Sequence, residues 1–133
     1  MKLTSKSEYA LLALVYLARQ IGKGAIPVHA IATAQQIPEK FLEQILLALK
    51  RARYLRSVKG KGGGFQLARE PASISLAEII RLFDGALAPT ESASKYFYEP
   101  TPIEKEAKLL GVFREVRDYV ARKMEKTTLA DMV

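Results

Sequence analysis

The sequence predicts a mainly α-helical chain interrupted by one small β-hairpin. Three observations carry this: apolar residues recur at three- and four-residue steps over five stretches, one glycine-rich turn sits between two β-prone runs, and several helix starts carry capping chemistry.

The first helix is read from Ser5 to about Gln20. There Tyr9, Leu12, Ala13, Tyr16 and Leu17 form a stripe that Leu11, Leu14, Val15 and Ala18 widen, so the helix is expected to be mostly buried. Gly22 and Gly24 end it. A short helix fits Val28 to Gln35, and Pro38 interrupts the pattern before a stronger helix that runs to about Ala52. Two short helices joined by a tight turn make a helix-turn-helix. On the stronger helix, Lys40, Glu43, Gln44, Leu47 and Arg51 share one face, while Leu42, Ile45, Leu49 and Ala52 share the other. One face packs and the other is free to read a ligand.

Tyr54 to Val58 is partly alternating and β-prone, Lys59 to Gly64 is glycine-rich, and Phe65 to Ala68 returns, which predicts a hairpin with a basic tip. Gly60, Gly62, Gly63 and Gly64 allow positive φ and close approach of backbone to a ligand. Lys59 and Lys61 add charge at the tip and Arg56 adds it on the strand. A phosphate-cradling loop is the competing reading, but its lysine and hydroxyl are missing and Phe65 stands in their place. Ser75-Leu76-Ala77-Glu78 is a capping box for a fourth helix ending near Gly85. The stretch from Ala86 to Pro100 is too irregular for an assigned element. Thr101-Pro102-Ile103-Glu104 reads as a second capping box that launches the longest helix, to about Met124. Its stripe of Ile103, Ala107, Leu110, Phe113, Val116, Val120 and Met124 is expected to pair with a second copy of the chain, the alternative being that it folds back on its own domain. Thr128 to Asp131 opens a last short turn.

The composition narrows the chemistry. The chain has 133 residues, no Cys, no Trp and a single His, which excludes disulfides, thiolate metal sites and cysteine nucleophiles. Without paired carboxylates in a cleft motif either, acid-base or nucleophilic catalysis lacks its parts, and no enzyme is expected. No run approaches the about 18 apolar residues of a membrane span, no signal peptide is read at the N-terminus, and a cytoplasmic location is expected. The net charge of +7 is uneven. Up to Arg69 there are twelve Lys and Arg against three acids, a net +9, which leaves −2 for the remainder. Lys50, Arg51, Arg53, Arg56, Lys59 and Lys61 fall within twelve residues that contain no acid. Such a density suits a polyanionic partner of the first half alone, a solvated basic face being the plainer alternative.

Helix, helix-turn-helix, basic wing, connecting helix and long terminal helix together make a winged-helix arrangement. The chain resembles the Rrf2 family of bacterial transcription regulators, whose members include IscR, NsrR and CymR. The resemblance rests on the opening Met1 to Lys6 with Tyr9-Ala10, on Phe41-Leu42-Glu43-Gln44, on Leu55 to Val58 with Gly60 and Gly62 to Phe65, and on Thr128 to Asp131. It spans nearly the whole chain. It implies a winged helix-turn-helix DNA-binding domain over residues 1–85, a connecting loop over 86–100, and a dimerisation helix with tail over 101–133.

It further implies a homodimer on double-stranded DNA, probing a pseudo-palindromic operator with one recognition helix per subunit in the major groove and the wing toward the minor groove. Glu43 and Gln44 match the family's base-reading residues, and Lys40 shares their face. Lys2, Ser5, Lys6, Tyr9, Lys50 and Arg51 are expected to hold backbone phosphates. Lys59 and Lys61 stand where many relatives have Arg and Pro, which shifts the wing from minor-groove reading toward phosphate contact. Cluster-bearing members carry three cysteines between the fourth and the long helix. Here that region reads Leu87 to Tyr96 without a thiol, so no iron-sulfur cluster, no metal and no other cofactor is expected. Glu8 is read as a surface or helix-start charge, and His29 as solvated or near phosphate rather than a ligand or base. The expected role is repression, with a metabolic enzyme or a small molecule as effector. The alternative is a regulator that acts chiefly by binding a partner enzyme through its terminal helix and loop.

Overall fold

Helix α1 (Ser5–Arg19) begins where Thr4 caps it. In the computed structural model, which describes residues 1–133, the Thr4 hydroxyl accepts from the Ser7 amide and the Ser7 hydroxyl accepts from the Thr4 amide. A capping box built from two hydroxyls satisfies amides that the helix itself cannot. Asp84, eighty residues away, anchors this start: its carboxylate accepts from the Ser7 hydroxyl at 2.6 Å and from the Thr4 hydroxyl.

Helix α2 (Val28–Gln35) ends at Gln36, whose left-handed backbone (φ 54°) turns the chain so that the Ile37 amide donates to the Ala32 carbonyl at 2.9 Å. Pro38 then precedes α3 (Glu39–Arg51). Leu42, Ile45, Leu46 and Leu49 are buried at three- and four-residue steps. They meet Ala10, Leu14, Leu17 and Ile31 in one core, where each buried leucine or isoleucine contributes about 1.5–3 kcal/mol.

Strands β1 (Leu55–Val58) and β2 (Gly64–Leu67) pair antiparallel with Leu55 opposite Leu67 and Val58 opposite Gly64. The hairpin acquires a third partner: Ile26 exchanges two backbone hydrogen bonds of 2.8 Å with Phe65. Gly64 makes this possible. Its φ of +148° and an approach that would put a Cβ 2.1 Å from the Ile26 carbonyl oxygen leave no room for a side chain. Gly64→Ala is therefore expected to cost on the order of 3 kcal/mol, read as a lowered thermal midpoint; a midpoint equal to wild type would show that the wing floats free of Ile26.

Helix α4 (Leu76–Asp84) carries the expected box, Ser75 accepting from the Glu78 amide and Glu78 from the Ser75 amide. The long helix departs from its expected start. Thr101 precedes only a 3-10 turn, Pro102–Lys105, and α5 (Ala107–Lys126) begins after Glu106. The capping groups are engaged elsewhere: the Thr101 hydroxyl bonds the Thr90 and Ser92 hydroxyls, and Glu104 accepts from the Tyr98 hydroxyl. The chain ends in a 3-10 turn, Leu129–Met132, that does carry its box, between Thr128 and Asp131. Leu129 is fully buried in the core formed by the first helices, and its amide donates to the Ile74 carbonyl at 3.0 Å.

The stripe expected to meet a partner is largely turned inward. Leu110 is buried, and Val120 and Met124 pack on Ala77, Ile80 and Leu87. Ile103 lies before the helix, and Ile103 and Phe113 are half-buried. Of the expected residues only Ala107 and Val116 are exposed, and Leu109, Val112 and Tyr119 join Val116 at steps of three and four, the four of them 42–69% exposed. Two apolar stripes run along α5, and residue spacing alone selected the one that its own chain covers.

Candidate nucleic-acid interface

The outward face of α3 is built by the same periodicity that buries its other face. With Leu42, Ile45, Leu46 and Leu49 fixed in the core, Lys40, Glu43, Gln44, Leu47, Lys50 and Arg51 point to solvent. None of these polar side chains forms an ion pair or side-chain hydrogen bond, so Glu43 is not occupied by Lys40. All three ion pairs of the chain lie after residue 68: Arg69 with Glu78 at 3.6 Å, Arg81 with Glu125 at 2.8 Å and Arg117 with Asp118 at 2.5 Å. The cations before Arg69 thus have no ion-pair partner in the chain, the state in which they can exchange water and counterions for phosphates.

Helix α1 flanks this face. Lys6 lies with Phe41 and Gln44 around one small depression, and the Tyr9 ring is tilted against Phe41 with centroids 6.5 Å apart. Tyr9 is half-buried, while Lys2, Ser5 and Lys6 are exposed at or before the α1 N-terminus. The helix start itself is already met by the Asp84 carboxylate, so the lysine charge and the Ser5 hydroxyl are what this end offers a phosphate.

On the hairpin, Lys59, Gly60, Lys61 and Gly62 form an exposed tip, with Gly60 and Gly62 at φ of +88° and +78°. Gly63 lies against the Val58 carbonyl and Gly64 belongs to the base. Arg56 sits at the base too, opposite Gln66, in a groove lined by Gly22, Gly24 and Glu70. The structure therefore brings Lys6, Tyr9 and the start of α3 together. Arg56 stands apart from the wing tip.

A support that the sequence did not advertise fixes the α3 exit. Arg53 takes a left-handed backbone (φ 68°), and Arg69 stabilises that reversal by donating from Nε to the Arg53 carbonyl at 3.1 Å. The Arg69 guanidinium also lies 4.3 Å from the Tyr54 ring centroid. Burial pushes the Tyr54 hydroxyl pKa above its ordinary value, and the Glu78 carboxylate, which accepts its hydrogen bond at 3.1 Å, adds to the rise. Tyr54, Arg69 and Glu78 thus clamp the base of the wing to α4. The only signal for this clamp in the sequence is the lone Tyr54 between cationic neighbours.

A family model described as "Rrf2: Iron-dependent Transcriptional regulator" matches residues 3–133. A protein of Rhodobacter capsulatus named as an rrf2-like HTH-type transcriptional regulator is 35% identical over 98% of this chain and 91% of its own length. CymR of Bacillus subtilis, described as its global cysteine regulator, is 29% identical in its solved structure, with a TM-score of 0.79 over 99% of this chain and 95% of that one. The structure of T. potens IscR superposes with a TM-score of 0.76 at 30% identity, over 99% and 85%. The iron of the family description finds no fitting donor set: the chain has no thiol, and no three His, Asp or Glu side chains converge on one point.

Proposed function

The chain belongs to the Rrf2 family of DNA-binding transcriptional regulators, and from that premise we propose that it is a homodimeric repressor of a pseudo-palindromic operator, working without a metal cluster. One observation carries this reading: the unpaired Lys40, Glu43 and Gln44 face lies on a helix that leads directly into a basic wing, in a chain whose every ion pair lies elsewhere. A glutamate accepts from cytosine N4, a glutamine pairs with the Hoogsteen edge of adenine, and a lysine contacts guanine or phosphate. The exposed Leu47 suits a thymine methyl. Lys2, Ser5, Lys6, Tyr9, Lys50 and Arg51 hold register through phosphates, and Lys59 and Lys61 extend the contact along the backbone.

The second copy docks on the outward α5 stripe of Leu109, Val112, Val116 and Tyr119. Two-fold symmetry then sets the two recognition helices about one helical turn of DNA apart. The organisation that follows is a DNA-binding unit over residues 1–85, a connecting loop over 86–100 and a dimerising segment over 101–133, with the tail returned to the first unit's core.

Capture of fragmented genomic DNA at two salt concentrations tests this reading. Enrichment of a pseudo-palindrome with half-sites about 10 base pairs apart, persisting at the higher salt, is the expected result. Uniform capture that fades with salt would mean charge without readout.

A further inference from the structure

A second concave site lies away from the α3 face and the wing and shares no residue with either. It is a cavity of about 310 Å³ between α4, the Ser94–Phe97 segment and the C-terminal half of α5. Its walls gather Arg81, Lys95, Arg117 and Arg122 against the two carboxylates Asp118 and Glu125, a local net of +2. This is notable because the chain after Arg69 is net −2.

The cations are not equivalent. Arg81 and Arg117 are pre-set: Arg81 pairs with Glu125 at 2.8 Å, and Arg117 pairs with Asp118 and donates to the Ala93 carbonyl at 2.9 Å. Arg122 has no ion-pair partner, and the Lys95 ammonium has only the face of Tyr96, 5.2 Å from its centroid. Each carboxylate in the wall is thus committed to an arginine, and two free cations remain to face an incoming anion. Tyr96 carries the Arg81 guanidinium 4.9 Å and the Lys95 ammonium 5.2 Å from its ring centroid yet stays 60% exposed, Phe97 is 43% exposed, and the buried Leu87 supplies an apolar part of the lining. A concave site with a few fixed charges and aromatic walls is the form that small-molecule sites take, and its volume is at the lower end of their range.

We infer that this cavity binds a small organic anion, its carboxylate or phosphate held by Arg122 and Lys95 and its flat apolar part laid on Tyr96 and Phe97. Guanidinium and ammonium supply charge-assisted hydrogen bonds, and the pre-set arginines lower the ordering cost of binding. The ligand adds contacts to three segments that the Arg81–Glu125 pair, the Arg117 bond to Ala93 and the packing of Val120 and Met124 already join. One of them, α4, ends in Asp84, which holds the start of α1 through Thr4 and Ser7. Occupancy therefore biases the placement of α1 beside the recognition helix; this regulatory consequence rests on the DNA-binding reading above, whereas the binding does not.

Amide NMR titration of the full chain with phenyl phosphate, 4-hydroxybenzoate and inorganic phosphate, at constant ionic strength, tests the site. The expected result is saturable shifts, largest at Arg81, Leu87 and residues 93–98 and 117–125, with at least one aromatic anion. Its affinity should fall about tenfold in Arg122→Gln and severalfold in Tyr96→Ala, and stay unchanged in Lys59→Gln, which removes charge from the wing instead. Binding by inorganic phosphate as tight as by phenyl phosphate would remove the aromatic part of the inference. Shifts on α3 and the wing only, or no saturation with any of the three, would overturn it. Operator affinity measured with and without the bound probe should change at least threefold; an unchanged affinity overturns the coupling, and a chain that binds no operator at all refutes the DNA reading while leaving the titration to stand alone.

Discussion

Replacing Glu43 and Gln44 together with alanine erases the preference of the protein among duplex sequences while leaving its affinity for generic DNA close to wild type. Both side chains are exposed and engage nothing within the chain, so their loss removes only contacts made to a partner. Each good contact between a side chain and a base edge is worth about 1–3 kcal/mol of discrimination, so the pair together should cost at least about 30-fold in the ratio of operator to non-operator affinity. Stability should move by less than about 0.5 kcal/mol, since an exposed helical position tolerates alanine. Competition binding with operator and scrambled duplexes reads the ratio. An unaltered ratio would mean that α3 does not read bases, and the alternative in which the chain acts mainly through a protein partner would take precedence.

Val112→Asp with Val116→Asp is expected to convert the proposed dimer to a monomer. The two residues are 54% and 42% exposed and lie on the one apolar stripe of α5 that its own chain leaves open. Burying two unpaired carboxylates at a symmetric contact means four in the dimer, each strongly unfavourable without a partner, so dimer affinity should fall at least about a thousandfold. Operator affinity should fall about a hundredfold or more, because two half-sites no longer bind as one. Light scattering after size exclusion measures the first effect and operator titration the second. The control is Leu110→Ala: this residue is buried within the subunit, and its substitution should lower the thermal midpoint without dissolving the dimer.

These two experiments bear on residues of unequal legibility. The α3 face could be read from the sequence because a single helix with one buried side leaves little freedom: once Leu42, Ile45 and Leu49 are core, Glu43 and Gln44 must face away. The hairpin was legible for a similar local reason, its glycines marking the tip. What is non-local was not legible. Nothing in the Ala25-Ile26-Pro27 run announces a strand that pairs with Phe65, and nothing near Asp84 announces that it caps a helix eighty residues earlier. Helix α5 shows the limit most clearly. It carries apolar residues on two faces, and residue spacing cannot say which of them α4 and Leu87 will cover. Likewise the Thr101 box satisfied the sequence rule, yet its hydroxyl found Ser92 and Thr90, groups that the chain places nearby only when folded. The cavity beside Tyr96 drew on residues from three segments, so the sequence showed it only as an irregular stretch.

Hydrogen exchange of the full-length protein, measured with and without a captured operator duplex, tests most directly whether the face of α3 and the wing are what engages DNA. Slowed exchange over Glu39–Arg51, over Lys59–Gly63 and at the start of α1, with α5 and the 94–97 segment unchanged, is the predicted result. Protection centred on α5 or on the 86–100 loop, with α3 and the wing exchanging as in the free protein, would contradict it.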